Sequence, residues 1–397
     1  MATRANGMAV DAAEAVKAET HKSVRVLFTC SGIGIMNRGI ESFFREAFDG
    51  LQGMDGIETM LIKGAGATTE HEYVTWSVRR TGRLARLLGK LARRNSNVVE
   101  QWSTFFPVVR QIRRFRPDVI FYSEANLGFL LYWFRKQIGV PYKLLFSNGG
   151  PCHPPFIRTD YVHQVAPLYY EEALRAGEPE DKHFFVPYGI HVPASPPATA
   201  SDAKKTVRTK LGLPLDRSIV LSVGWVAKEH KRMDFVIEEI SRLPTPRPFL
   251  QLLGAIDSGS AEIVELGNRL LGPENFSARS VPYEMVADYY RAANVFVLGS
   301  LSEGFGRVLL EAMMHGLPVV GHRHPVIEFV VGDAGRLEDL NLPGTLARAI
   351  GEILSNPDAL ELKEERWNSV RSRFDWQSLR SSYSDMFRRC AESDPRT

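Results

Sequence analysis

From Ser23 onward the chain repeats one rhythm: a short β-branched or aromatic run, a turn of Gly, Pro or Asn, then a longer segment of helical periodicity. Alternation of this kind builds a parallel α/β sheet, because two parallel neighbours must be joined by a crossover long enough to be a helix. In the first half the expected strands are Val24–Thr29, Ile57–Ile62, Asp118–Tyr122, Tyr142–Phe146, Tyr161–Val165 and Phe184–Val186, with helical stretches near Ile40–Gly50, Ser103–Phe115 and Leu168–Ala176. In the second half they are Ile219–Val223, Phe249–Leu253, Ala278–Val281, Val295–Leu298 and Pro318–Val320. Each half holds enough strands for its own sheet, and 397 residues exceed the roughly 100–200 of one ordinary domain.

Between the halves lies His191–Ala203, where Pro, Ala, Ser and Thr dominate and no apolar period survives, so it reads as a linker. Near the end, Trp367–Cys390 carries apolar residues at helical spacing broken near Phe374–Asp375, which predicts a kinked helix pair. Residues 1–21 mix acids with Arg4 and Lys17 and have no continuous apolar stretch, so a flexible tail is expected rather than a secretory signal. A composition 44% hydrophobic and 24% charged, with a net charge of +3, is that of a globular protein and is too mild to argue for nucleic acid. Cys30, Cys152 and Cys390 are odd in number and far apart, which excludes a disulfide framework and fits a cytoplasmic setting. The apolar run Leu127–Phe134 falls well short of the roughly 20 residues that a membrane span needs.

The stretch Ala293–Gly321 carries the most chemistry. It reads as a strand at Val295–Leu298, a turn at Gly299–Glu303, a helix from Phe305 to His315, a stop at Gly316 and Pro318, and a second strand. A helix starting in Gly304-Phe305-Gly306 offers free N–H groups and a positive dipole end to a diphosphate, and the glycines allow close approach. Two carboxylates, Glu303 and Glu311, bracket that anion site. Carboxylates suit sugar hydroxyls rather than phosphate, so a ligand with phosphates in the middle and hydroxylated rings at both ends, a nucleotide sugar, satisfies the layout.

Glu303-x7-Glu311 inside SEGFGRVLLEAMMHGLPVV resembles the signature of the retaining family 4 glycosyltransferases of the GT-B fold. The likeness extends to Ser31–Gly39, Arg116-Pro117-Asp118-Val119, Val186-Pro187-Tyr188-Gly189-Ile190 and Val223–Ile237, and is closer in the second half. It implies an α/β chain of two Rossmann-like domains facing an interdomain cleft: an N-terminal acceptor domain at 22–190, the linker at 191–203, a C-terminal nucleotide-sugar domain at 204–370, and a last helix at 371–390 crossing back to the first domain. The implied reaction is metal-independent, retaining transfer of a hexosyl group from a UDP- or GDP-sugar to a hydroxyl of a glycan, a lipid-linked glycan or a small molecule, with no cofactor beyond the donor. Two other readings stand beside it: another GT-B activity, either a sugar-nucleotide epimerase or a phosphorylase, and a non-catalytic sugar-nucleotide-binding protein.

Carried over residue by residue, the resemblance puts Glu303 on the transferred sugar, Glu311 on the ribose and the amides of Gly304, Phe305 and Gly306 on the sugar or phosphate. The family's Lys at the departing diphosphate matches Lys231; its Arg position holds Trp225, so either Lys228 or Arg232 supplies a second charge or the donor phosphates are held differently. Base contacts fall near Val281, and Gly34 or Gly39 lets the first domain's backbone face the diphosphate. The glycines at 32, 34 and 39 do not complete a dinucleotide fingerprint, since Asn37 stands at the third glycine position. On the acceptor side either Asn148 or His153 faces the cleft. No Asp-x-Asp occurs to hold a cation on the diphosphate, and His322-x-His324 lacks a further ligand at recognisable spacing.

One more segment stands out. Between Glu72 and Glu100 there is no acid, while Arg79, Arg80, Arg83, Arg86, Lys90, Arg93 and Arg94 gather around Leu84, Leu87, Leu88 and Leu91. A basic amphipathic helix in Arg79–Arg94 suits peripheral contact with the inner face of an anionic membrane or guidance of an acidic acceptor; the plainer reading is a solvated face. Nearby Trp102, Phe105 and Phe106 are expected in the core.

Overall fold

The computed structural model describes residues 23–36, 38–79, 82–150, 152–197, 201–356 and 360–393; the N-terminal tail expected at 1–21, Arg80 and residues 198–200 of the linker lie outside them. The chain builds two parallel sheets. The first contains β1 (Val24–Cys30), β2 (Ile57–Lys63), β3 (Glu72–Val74), β4 (Val119–Tyr122), β5 (Lys143–Asn148), β6 (Tyr161–Gln164) and β7 (His183–Phe185), in the order β3-β2-β1-β4-β5-β6-β7. The second contains β8 (Ile219–Val223), β9 (Phe249–Leu253), β10 (Phe276–Arg279), β11 (Val295–Val297), β12 (Val319–His322) and β13 (Arg336–Glu338), in the order β10-β9-β8-β11-β12-β13.

The central strands are covered on both faces by helices, which is why they appear in the sequence as unbroken apolar runs. In β1, Phe28 is fully buried, faces Leu61 of β2 and Phe121 of β4 in register, and meets the Phe121 ring edge-on at 5.4 Å. The edge strands β3 and β13 are three residues each and half-buried throughout, so they leave no apolar run to read, and neither was expected. Expected strand Ala278–Val281 begins earlier, at Phe276, whose buried ring packs over Gly267.

Strand order reverses between β1 and β4 and again between β8 and β11. Crossovers leave on opposite faces at such a point, and a crevice opens at the carboxyl ends of the strands where a ligand can reach backbone amides. Each sheet therefore has one such crevice.

The C-terminal segment connects the two. Helix Leu360–Phe374 packs on helix Arg307–Met314 of the second domain. The chain then passes Asp375, bridged to Ile190, and helix Trp376–Glu392 lies on the first sheet, with the Phe387 ring 5.9 Å from Phe28 and 5.5 Å from Phe121. Trp376 covers Gly189 so closely that a Cβ there would come within 2.5 Å of its ring, so this crossing point tolerates only glycine.

Phe387→Ala is expected to remove about 3–5 kcal/mol, the usual cost of emptying a buried aromatic site. A thermal melt of the full chain reads it as a fall of several degrees; an unchanged melt contradicts the packing of the last helix on the first sheet.

Candidate active site

The first crevice is shaped by buried carboxylates. After β1, the Ser31 amide donates to Glu124 Oε2 at 3.0 Å and the Ser31 hydroxyl donates to Glu124 Oε1, which ties the β1 loop to the loop after β4 across the switch point. Gly34 turns this loop with φ +79 against the Ala65 carbonyl. Arg38 pairs with Glu41, whose buried carboxylate lies under Gly32. Burial raises the Cys30 thiol well above its ordinary range, and Glu124 and Glu41 raise it further, so Cys30 is a core residue rather than a nucleophile. Helix Gly39–Leu51 starts here and faces the other domain: a Cβ on Gly39 would lie 3.8 Å from Arg307 Cδ.

The second crevice holds an ion pair. Lys231, in the loop after β8, donates from Nζ to Glu303 Oε1 at 2.6 Å in a largely buried position, and His230 Nε2 stands 4.0 Å from the other carboxylate oxygen. Across the cleft, the Tyr169 hydroxyl of helix Pro167–Arg175 donates to the Glu303 carbonyl at 2.8 Å. The loop from Gly304 to Gly306 remains non-helical, and the helix begins at Arg307 rather than Phe305 because Gly306 takes a left-handed conformation at φ 85. Phe305 is buried between Tyr188 and Phe374, with ring centroids at 5.2 and 5.9 Å, and anchors the loop.

Glu311, one helix turn beyond Arg307, is buried and accepts from the Tyr290 hydroxyl at 3.0 Å, while the Tyr283 hydroxyl points to the same carboxylate. Burial raises its carboxyl above the ordinary value, against the pull of Arg307 and the two tyrosines. Arg307 is itself buried. It donates to the Gly189 carbonyl at 2.7 Å and to Glu46 Oε1 at 2.5 Å, so the second domain's helix is bonded to the first domain and to the crossing point. Val281, half-buried, sits just before Pro282 and the helix Tyr283–Ala292 that carries both tyrosines.

Other expected site residues make contacts of their own. Arg232 turns away from Glu303, donating to the carbonyls of Gly299 at 3.3 Å and Leu340 at 3.1 Å with its guanidinium over the Phe235 ring, so it braces the end of β11. Lys228 is exposed and lies 3.9 Å from Asp234. Asn148 is fully buried: its amide donates to Cys152 O and Gln164 Oε1 and accepts from the Cys152 amide, which spends the side chain on its own loop. His153 is exposed, with Nδ1 3.5 Å from Glu172. His322 and His324 accept at Nδ1 from the amides of Leu340 and Val326, and among the described residues no three His, Cys, Asp or Glu side chains gather as a ligand set. The sequence reading missed Glu46, Glu124, Tyr169, Tyr290 and Arg307. Only Arg307 left a trace, as the one charge besides Glu311 in an otherwise apolar helix.

Residues 203–369 match the family model described as Glycosyl transferases group 1. Among curated relatives, the chain is 32% identical over 202 residues to D-inositol 3-phosphate glycosyltransferase 2 of Catenulispora acidiphila, covering 48% of this chain and 47% of that one. It is 29% identical over 210 residues to D-inositol 3-phosphate glycosyltransferase of Streptomyces coelicolor, covering 50% and 46%. The chain thus spans about half the length of the curated relatives it matches. Among solved structures, sucrose-phosphate synthase from Thermosynechococcus elongatus superposes with a TM-score of 0.72 at 19% identity, over 92% of this chain and 98% of that one. Anabaena HepE in complex with UDP-glucose superposes at 0.70 with 16% identity, over 92% and 99%. These superpositions show the GT-B fold.

Breaking the Arg307–Glu46 pair from one side leaves a buried charge, so Arg307→Ala or Glu46→Ala is each expected to cost about 3–5 kcal/mol. Urea melts of both single variants and the double variant should be strongly non-additive; additive costs contradict a direct pair. A second outcome follows from Glu311. Its raised folded-state pKa means that the native state holds the proton longer than the unfolded chain does, so ionising Glu311 costs stability as pH rises above the ordinary 4.5. The melting temperature of Glu311→Gln relative to wild type should therefore climb with pH, and a pH-independent difference contradicts the burial.

Proposed function

We propose, from the match of residues 203–369 to the glycosyl transferases group 1 model, that the protein moves a hexosyl group from a nucleotide-diphosphate sugar to an acceptor hydroxyl, with retention and without a metal. The observation that carries this reading is the Lys231–Glu303 ion pair at the β8/β11 switch point, beside the Gly304–Gly306 amides and opposite the start of helix Gly39–Leu51.

Departure of the diphosphate leaves positive character on the anomeric carbon and growing negative charge on the β-phosphate. Lys231 supplies a preorganised cation for that charge, and the loop amides add donors that need not reorganise. Glu303 is the sugar-hydroxyl acceptor; binding of donor transfers Lys231 from the carboxylate to the phosphate and frees Glu303 for the sugar. Glu311, held by Tyr290, takes the ribose hydroxyls, and the nucleobase lies toward Val281 and Pro282. The acceptor hydroxyl attacks from the face that the phosphate leaves, and a phosphate oxygen takes its proton, so no separate base is needed. The absence of any Asp-x-Asp pair supports metal independence, and His153 is the remaining acceptor-side candidate. Three cysteines, odd in number and far apart in the sequence, support a cytoplasmic location. Trp225 in place of the second cation is a feature that favours a binder without turnover.

The UDP-glucose held by the Anabaena structure makes UDP-glucose the first donor to test, with GDP- and ADP-sugars beside it. Donor consumption is expected to be dependent on protein and to survive excess chelator. Activity that vanishes with chelator and returns with magnesium or manganese contradicts the mechanism, and tight nucleotide binding with no consumption of any donor favours the binder. Glu303→Gln should lower turnover while leaving nucleoside diphosphate affinity within a few-fold; normal turnover removes Glu303 from the reaction.

A further inference from the structure

A surface helix normally turns its apolar stripe inward. Helix Arg83–Ala92 does the reverse. Leu84, Leu87, Leu88 and Leu91, at the i, i+3, i+4, i+7 spacing of one face, are 54%, 56%, 37% and 75% exposed, while the inward face is made of the small residues Ala85 and Gly89. Gly89 lies so close to the following turn that a Cβ would come within 2.7 Å of the Arg94 carbonyl, which fixes this face against helix Ser96–Ser103 and leaves the leucines outside. Arg83, Arg86 and Lys90 occupy the exposed flank beside the leucine stripe, and Arg93 and Arg94 follow at its end. None of the five forms an ion pair among the described residues.

The following helices carry further exposed aromatic side chains. Helix Ser96–Ser103 carries the half-exposed Trp102, and helix Phe105–Phe115 carries Phe106, 78% exposed. Trp76, 68% exposed, is set beside them by the bond from the Val78 amide to Ser103 Oγ at 2.8 Å. The expectation that Trp102, Phe105 and Phe106 belong to the core is therefore wrong for Trp102 and Phe106; only Phe105 packs inward, with its ring 5.5 Å from Phe134.

We propose that this face of the first domain docks on an anionic lipid bilayer, with Leu84, Leu87, Leu88 and Leu91 in the acyl boundary and the five basic side chains on the headgroups. The charge decides the occupant. A second copy of the chain would bring two basic flanks together, and an acidic soluble partner leaves four leucines without a use; a bilayer with negative headgroups over hydrocarbon satisfies both. Among the described residues no helix is long and apolar enough to cross a membrane, so the contact is peripheral. Docking is read without turnover and stands apart from the donor chemistry.

The test is co-sedimentation of the full chain with phosphatidylcholine vesicles and with vesicles containing roughly 30% phosphatidylglycerol, at low and high salt. The expected result is binding to the anionic vesicles alone, weakened by salt. Each basic residue near the surface contributes about fivefold, so Arg86→Ala/Lys90→Ala should weaken binding about 25-fold. Leu87→Glu/Leu91→Glu should lose at least about tenfold with an unchanged thermal melt, because both side chains already face solvent. Equal binding to neutral vesicles, no binding to either, or wild-type binding by both variants overturns the proposal. A dimer in light scattering that the Leu variant dissolves also overturns it, by assigning the face to a second copy.

Discussion

The Arg307 guanidinium is buried at a place where three parts of the chain meet. It grows from the helix that follows the Gly304–Gly306 loop, reaches the Glu46 carboxylate on the first domain's helix, and donates to the Gly189 carbonyl at the crossing point. A buried cation is tolerated only when its partners are in place, so the two sheets must face each other with their switch points opposed. Trp376 over Gly189 adds a steric constraint at the same junction, and the last helix continues from it onto the first sheet. Tyr169 completes the bridge on the other side of the crevice by holding the Glu303 carbonyl.

Within that frame the site is a set of largely buried charges and their partners. Lys231 and Glu303 are paired with each other at 2.6 Å, although the role proposed for each is toward a different part of the donor. Glu311 is buried at a cost that raises its pKa, and the helix keeps it beside Tyr290 and Arg307. Buried polar groups of this kind lower stability and fix geometry, the combination expected where a ligand's hydroxyls are to be recognised.

The fold class was readable because the inner strands of a parallel sheet are apolar on both faces: Val24–Cys30, Ile219–Val223 and Phe249–Leu253 fall within a residue of their sequence-expected limits. The edge strands Glu72–Val74 and Arg336–Glu338 were not, since half-exposed three-residue strands carry no period. The proximity of Lys231 to Glu303, 72 residues apart, rests on the βαβ crossover that brings the ends of β8 and β11 together. Arg307–Glu46, 261 residues apart, had no such local grammar. Arg232, nine residues past the end of β8, donates to the distant carbonyls of Gly299 and Leu340, contacts that no local sequence pattern announces. Asn148 looked available, but its loop needed all of its hydrogen bonds. The leucines of Arg83–Ala92 show the same limit: periodicity reveals an apolar face but not the direction it points.

Whether Lys231 holds a diphosphate can be read directly by calorimetric titration of nucleosides against their diphosphates, in wild type and in Lys231→Ala. If the ammonium moves from Glu303 to the phosphates, the wild type should bind UDP or GDP at least about tenfold more tightly than the parent nucleoside, and Lys231→Ala should erase most of that preference while nucleoside affinity stays near wild type. An equal diphosphate preference in both proteins would contradict the assignment of the Lys231–Glu303 pair as the donor site.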